Sequence, residues 1–407
     1  MISVFFATIA AGGGHVATAN AMAEEMHRLH PGGVNTQGAD VMAEFGFEEL
    51  DRRHKESWRE MLKRPRLVRL GQRLMDAAPG LTRAAQNSLL NDFAKAAQQR
   101  IDALGPDLVV ANHGWLATAL TLARTKHGMR TRVLVFATEP FDASALWAEP
   151  KAEWVVAPSA AAKEDLVRLG VPEARVAVVG YPVRQAFLAP PDQRSARSEL
   201  GLADAFTCLL SLGAEGLAGE ALQLAESLAR KDVQVVAVAG RNAELKAEFE
   251  RLAESHARFH ALGFTDKMPA YLAATDLVVG KAGPASTMEA LAVGRPVLAT
   301  SYAGLNEERV VRFLQTRGLG GYAPNPEALA AQVEAWRDPG RRRAAQGTAR
   351  ALDFGGMSRR LATYISAVAR GETPPAKSDG EPAAASFEAT TAKSLAGGVP
   401  EKARQPG

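Results

Sequence analysis

Residues 276–296 read DLVVGKAGPASTMEALAVGRP, and the order of residue types in this stretch decides the fold. An apolar run ends at Val279, a glycine turn follows, and a helix opens near Pro284. Proline suits a first helical turn, where its missing N–H would have had no intrahelical acceptor. The amides of Ala285, Ser286 and Thr287, beside Gly283, then project from the positive end of the helix and form a seat for a diphosphate. Ser286 and Glu289 stand on one helical face, so the serine can reach a phosphate oxygen and the glutamate both hydroxyls of a ribose. The same pair also spells a capping box, S-x-x-E.

Working outward, strand-like and helical stretches alternate along the chain. Short β-rich runs recur at residues 4–7, 108–111, 133–137, 154–157 and 176–179, and a second series at 207–210, 233–238, 276–279 and 296–298. Helical stretches such as residues 17–29 and 160–169 lie between them. This alternation argues for parallel sheets covered by helices. Residues 180–202 carry Pro182, Pro190 and Pro191 and suit an interdomain linker. The sequence therefore predicts an α/β chain of two Rossmann-like domains facing each other across a cleft, with ligands beyond the carboxyl ends of the strands. After Arg370 the apolar periodicity stops and Pro, Gly, Ala and Ser dominate, which predicts a disordered tail over residues 371–407.

Bulk properties agree with this plan. A chain of 407 residues exceeds one ordinary core. A net charge of +3 excludes a general nucleic-acid binder. Cys208 is the single cysteine, which excludes an intrachain disulfide and a cysteine-rich zinc site and leaves nothing to require an oxidising compartment. No apolar run reaches the roughly 20 residues that cross a bilayer. Residues 2–11 are apolar but lack a basic flank and run into glycines, so they are expected to be a first strand rather than a leader.

Further loops supply candidate binding groups. Gly213 and Gly216 follow the first strand of the second series, where they allow backbone to approach a phosphate or simply make a βα turn. In Gly263-Phe264-Thr265, backbone groups suit a base edge with Phe264 as a wall; Phe264 as core is the plain alternative. Gly12-Gly13-Gly14-His15 leaves room for a substrate against Gly13 and Gly14 and sets His15 at a helix start. A neutral imidazole there can take a proton from a hydroxyl, or merely cap the loop. His113, after another strand, lines the cleft or bonds to backbone. Over residues 47–75, Phe47, Leu50, Trp58, Met61 and Leu62, then Leu67, Leu70 and Leu74, fall at helical spacing among basic residues that include Arg66, Arg69 and Arg73. A basic amphipathic pair with a Trp suits an anionic membrane surface, and solvated surface helices are the alternative.

Taken together, these segments resemble the monogalactosyldiacylglycerol synthase and processive diacylglycerol glucosyltransferase family, relatives of the MurG-type transferases. The resemblance rests on Gly12–His15, Pro106-Asp107 with His113, Gly180-Tyr181-Pro182-Val183-Arg184 with Phe187, Gly263-Phe264-Thr265, and Lys281-Ala282-Gly283-Pro284 with Glu289-Ala290. It covers residues 2–370 and implies a GT-B fold: residues 1–187 with a helix over 354–370 packing back, and a donor-binding domain over 203–353. It implies an inverting transfer of a hexose from a UDP-sugar to a membrane lipid, 1,2-diacylglycerol first, with no bound metal or other cofactor. The enzyme would act from the cytoplasm at the inner face of the cell membrane. Glu139 and Asp142 then join His15 as candidate bases, and Asn306 and Glu307 become the residues that orient the sugar. A sugar-nucleotide 2-epimerase of the same fold and a non-catalytic nucleotide-sugar-binding protein are the rival readings. The chain departs from the family in having Ala285-Ser286 after Gly283-Pro284, and Ser144 where the family places a histidine.

Overall fold

The structure is a computed structural model that describes residues 1–10, 13–62, 64–212, 218–374 and 386–395. It divides into two units: Met1–Arg184 with Ala303–Asn306 and Asp353–Leu395, and Gln185–Tyr302 with Glu307–Leu352.

The first unit is built on a six-stranded sheet ordered β2-β1-β3-β4-β5-β6. Its strands are β1 (Ile2–Thr8), β2 (Val34–Asp40), β3 (Leu108–Ala111), β4 (Arg132–Phe136), β5 (Trp154–Ala157) and β6 (Val176–Val178), all paired in parallel. Side chains alternate across a strand. Leu108, Val110, Leu134 and Phe136 therefore enter one core, and Val109, Ala111, Val133 and Val135 the other. The first core is closed by helix Gly14–Leu29, through Ala19, Met22 and Met26, and by helix Phe354–Arg370, through Leu361, Ile365 and Val368. Phe93 and Ile101 of helix Asn91–Leu104 and Leu116 and Leu120 of helix Gly114–Thr125 close the second. Each large side chain among these contributes about 1.5–3 kcal/mol by leaving water. Burial on both faces is why these strands read as unbroken apolar runs.

The second unit repeats the theme with β7 (Thr207–Ser211), β8 (Gln234–Val238), β9 (Phe259–Leu262), β10 (Leu277–Lys281), β11 (Val297–Ser301) and β12 (Gly320–Tyr322), ordered β12-β11-β10-β7-β8-β9 and again parallel. Cys208 is fully buried in its core with Leu210, Phe249 and Trp336, and burial pushes its thiol pKa up, so it packs as an apolar residue. Below β10, the buried Asp276 carboxylate accepts from Arg197 Nη2 at 2.7 Å and from the Thr207 amide at 2.8 Å, which ties the starts of β10 and β7 together. Above it, a Cβ on Gly280 would overlap the Ser211 carbonyl oxygen, so only glycine lets β10 lie this close to β7.

The order of strands reverses between β1 and β3 in the first sheet and between β7 and β10 in the second. These are the switch points where open α/β sheets leave a crevice for ligands. His15 follows β1, His113 follows β3, and the Lys281–Pro284 turn follows β10.

Sequence patterning missed β2 and β12. The first is an edge strand of sequence VNTQGAD, half exposed; the second is three residues with two glycines. Neither carries the apolar run that marks a central strand. The disordered tail also needs correction: residues 386–395 pack on the first unit, with Phe387 fully buried and Leu395 nearly so. One aromatic in a Pro/Ala/Ser-rich context gives no periodicity, so pattern reading passes over it. Residues 375–385 and 396–407 of that stretch lie outside the described residues.

Candidate functional site

In the second unit, helix Pro284–Ala292 begins where the sequence places it, with Gly283 as its N-cap and no side-chain cap. Ser286 is thus the third residue of the helix, and its hydroxyl donates back to the Gly283 carbonyl at 3.1 Å. A capping box would need Ser286 at the N-cap, so that alternative falls. One expected donor falls as well: the Thr287 amide bonds to the Gly283 carbonyl at 3.0 Å, closing the first helical hydrogen bond. Pro284 has no N–H, so Ala285 and Ser286 supply the amides that a helix start leaves without intrahelical partners. Ser286 is exposed, Ala285 and Glu289 are half-buried, and Thr287 is buried.

Immediately before this seat the register of β10 against β11 shifts between Gly280 and Lys281, a β-bulge. Bulges re-aim side chains, and Lys281 Nζ here pairs with Glu307 Oε1 at 2.7 Å. Glu307 is buried at 6% exposure, so its charge is balanced by Lys281, a residue that sequence reading noted only as part of a motif. Phe264 is 68% exposed, which rules it out as core, and the Arg241 guanidinium lies 4.9 Å from its ring centroid. Arg241 was not anticipated; its signal is the Gly240 turn, at φ +59°, that ends β8. Thr265 Oγ1 accepts from the Lys267 amide at 3.0 Å. Gly213 and Gly216 lie outside the described residues.

In the first unit the carboxyl ends of β1, β3 and β4 gather three imidazoles. Gly13 caps helix Gly14–Leu29, with open space where a Cβ would stand. His15 follows, its carbonyl held by the Asn112 side-chain amide and its Nδ1 3.2 Å from Thr138 Oγ1. His113 packs edge-on to His15, ring centroids 4.8 Å apart. Its Nδ1 accepts from the Trp115 amide at 3.1 Å, so His113 is the N-cap of helix Gly114–Thr125 and carries its hydrogen on Nε2. This is the backbone-bonding role foreseen for it. His54, which sequence reading did not single out, stands 5.4 Å from His113 and 4.0 Å from the Trp115 ring. Beside it Lys55 Nζ bridges Asp51 and Asp40 at 2.6 and 2.7 Å.

Burial pushes His15 down to about 4, and it pushes His113 well below the ordinary imidazole value, helped by His15, His54 and Lys55. His54 is lowered too, again by burial first. All three rings are neutral at pH 7. The loop after β4 carries Glu139, whose Oε2 accepts from the Asn306 amide at 2.6 Å within the same unit, and Asp142, which is buried.

The basic stretch divides into two parts. On helix Glu48–Leu62, Arg52 pairs with Glu49 and Glu56, Arg53 with Glu49, and Lys55 with two aspartates, so its cations are largely neutralised. Trp58 is half-buried. The exposed apolar row lies further on: Leu67, Leu70 and Leu74 on helix Pro65–Ala77, the last at 63%, and Leu81, at 75%, on helix Pro79–Leu89. Arg66 and Arg73 are exposed beside this row, whereas Arg69 is half-buried and reaches the Ala303 carbonyl at 3.5 Å.

Residues 211–352, which contain the phosphate seat and β10, match the Glycosyltransferase family 28 C-terminal domain. Residues 57–185 match Glycosyltransferase Family 4. The relatives are those the motifs indicated. Monogalactosyldiacylglycerol synthase 1 of Arabidopsis thaliana is 27% identical over 248 residues, 58% of this chain and 46% of that protein. A processive diacylglycerol beta-glucosyltransferase of Bacillus pumilus is 25% identical over 246 residues, 59% of this chain and 63% of its own length. The chain thus spans about half to just under two thirds of these relatives. Among solved structures, the S. aureus MnaA–UDP complex has a TM-score of 0.60 at 14% identity, covering 93% of this chain and 100% of that one. A UDP-N-acetylglucosamine 2-epimerase has a TM-score of 0.57 at 13% identity, covering 93% and 99%. At these identities the likeness establishes the two-sheet GT-B architecture.

The neutral histidines make stability pH-dependent. Each binds its proton more weakly in the folded chain than the value of about 6.5 it has when unfolded. Between those values the unfolded chain holds more protons, so their contribution is complete above pH 6.5 and is lost as pH falls, toward about 4 for His15. The melting temperature should drop between pH 7 and pH 5. His113→Asn, which keeps a good N-cap but cannot titrate, should show a smaller drop. Parallel curves for variant and wild type would show that the buried His113 is not among the groups responsible.

Proposed function

We propose that the chain is an inverting glycosyltransferase that moves a hexose from a UDP-sugar to a membrane lipid, 1,2-diacylglycerol, and works at the inner face of the cell membrane. The observation that carries this reading is the open helix start at Pro284–Ser286, set at a switch point inside a family 28 glycosyltransferase domain. The diacylglycerol transferases among the relatives support the choice of acceptor.

In this reading the donor diphosphate lies against the Ala285 and Ser286 amides and the Ser286 hydroxyl. Glu289 binds the ribose, and Phe264, Arg241 and Thr265 bound the base. Glu307, held by Lys281, and Asn306 orient the sugar. An acceptor hydroxyl gives its proton to Nε2 of His15, whose Nδ1–H then donates to Thr138. The oxygen attacks the anomeric carbon from the side opposite the diphosphate, and the bond to the β-phosphate breaks. Negative charge accumulates on the departing diphosphate, where fixed amides and the helix dipole stabilise it without a bound metal. Glu139 and Asp142 are the alternative proton acceptors on the same edge.

Leu67, Leu70, Leu74 and Leu81, with Arg66 and Arg73, are the face we assign to the bilayer. Among the described residues no helix is long and apolar enough to cross a membrane, so contact is peripheral in this account. That face argues for a lipid acceptor over the epimerase reading, which has no use for it.

UDP should bind with the same affinity in the presence and absence of EDTA. Glu289→Ala should weaken it by about 1.5–3 kcal/mol, the range for hydrogen bonds to a charged group. Calorimetry checks both; binding abolished by EDTA would contradict the metal-free seat.

Co-sedimentation with vesicles should rise with phosphatidylglycerol content and fall with salt, because each basic residue near an anionic surface adds about 1 kcal/mol and salt screens it. Replacing Leu74 and Leu81 with Gln should reduce sedimentation and leave UDP affinity intact. Unchanged sedimentation would return these helices to solvent.

A further inference from the structure

Residues 386–395 form a short strap on the first unit, and the loop it touches is the one that carries Thr138, Glu139 and Asp142. Phe387 is fully buried, its ring centroid 4.9 Å from that of Phe141, 5.9 Å from Phe354 and 6.5 Å from Tyr181. Phe141 lies between the two candidate carboxylates of the loop. Polar contacts fix the strap in register with helix Ala160–Arg168. The Ala160 amide donates to the Glu388 carbonyl and the Ala161 amide to the Thr390 carbonyl, both at 2.8 Å. The Ala392 amide donates to Glu164 Oε2 at 3.0 Å, and Glu388 forms an ion pair with Arg360 of helix Phe354–Arg370.

The strap and the loop share one helix start. A helix leaves its first amides without internal partners. Here the strap takes two of them, and Ser159 Oγ takes the next, from Ala162, at 3.4 Å. The Ser159 hydroxyl in turn donates to the Pro140 carbonyl at 2.7 Å, inside the loop. The loop is therefore held from two directions: by its backbone through Ser159, and by Phe141 packed on Phe387. Removing Phe387 would leave a cavity directly beneath Phe141, and surrounding atoms move to fill such space only in part.

We propose that Phe387 is a positioning residue for the transfer reaction, and that the strap holds the Thr138–Asp142 loop in the conformation that sets Thr138 on His15 and fixes the neighbouring carboxylates. The proposal rests on the glycosyltransfer reading for what the loop does, but not for how the loop is held. An ångström of misplacement around a reacting group costs as much as about a hundredfold in rate, so release of the strap acts on turnover while the second unit continues to bind nucleotide.

The test compares full-length wild type, Phe387→Ala and Phe387→Leu by hydrogen exchange, UDP calorimetry and glycolipid formation. Phe387→Ala should speed exchange at the Ala160 and Ala161 amides and at Glu139, Phe141 and Asp142. It should lower kcat by about tenfold or more, within the range set by such misplacement, while the Kd for UDP and the donor KM stay within about twofold. Phe387→Leu, which refills most of the space, should recover much of the rate. Slow exchange in the β3 and β4 core together with intact UDP binding shows that Phe387→Ala is folded. Unchanged exchange at Ala160 and Ala161 overturns the docking. Faster exchange there with an unchanged loop and unchanged kcat overturns the positioning role. If wild type transfers no sugar, the functional reading fails by itself, and the exchange at Glu139, Phe141 and Asp142 still decides whether the strap holds the loop.

Discussion

Gly280 admits no side chain, and the second unit is organised around that fact. Without a Cβ, β10 can approach the Ser211 carbonyl of β7 closely enough to pair, while Asp276, five strand positions below the bulge at Lys281, ties the two strand starts to Arg197 and the Thr207 amide. Pinned at both ends, the strand has one way to leave the sheet: through the bulge and the Ala282-Gly283 turn into a helix whose first residue is proline. The positive end of that helix and its unpartnered amides thus arise from backbone geometry. Under the proposed function, such a seat tolerates Ala285-Ser286 after Gly283-Pro284, because the amides belong to the backbone and Ser286 supplies a hydroxyl.

The first unit solves a different electrostatic problem. Burial keeps His15 uncharged at neutral pH; His54 makes its protonation less favourable still, and His15 and His54 do the same to His113. Asn112 fixes the backbone of His15, the N-cap bond fixes the tautomer of His113, and Thr138 meets the remaining side of His15. A value of about 4 leaves His15 unprotonated at neutral pH, with less driving force for taking a proton than a base tuned near the working pH has. The strap at Phe387 extends this fixing of side chains to the loop after β4.

Much of this was legible in the residues. Val109, Val133 and Leu209 belong to central strands, and central parallel strands betray themselves as apolar runs; Pro284 and the glycines around it mark the helix start. The capping-box question was open in sequence because S-x-x-E fits either reading, and only the observed N-cap at Gly283 settles it. His54 depends on contacts between residues far apart in the chain and Lys281 on a bulge, which no local pattern encodes, and Arg241 is marked only by the Gly240 turn before it. On helix Glu48–Leu62 the excess of positive charge is smaller than the arginines alone suggest, because Glu49 and Glu56 pair with Arg52 and Arg53 at the surface. Phe387 escaped because a single anchor in a low-complexity stretch has no period to detect.

Under the proposed function, sugar leaves UDP for a lipid hydroxyl. Incubating the full chain with diacylglycerol-containing vesicles and each of several radiolabelled UDP-sugars, then separating lipid from aqueous products, measures this directly. The account predicts label in a glycolipid with release of UDP, and no label there when Glu289 is replaced by Ala at donor concentrations well below the weakened affinity. Label that remains on the nucleotide as an epimerised sugar, or no consumption of any UDP-sugar, would contradict it.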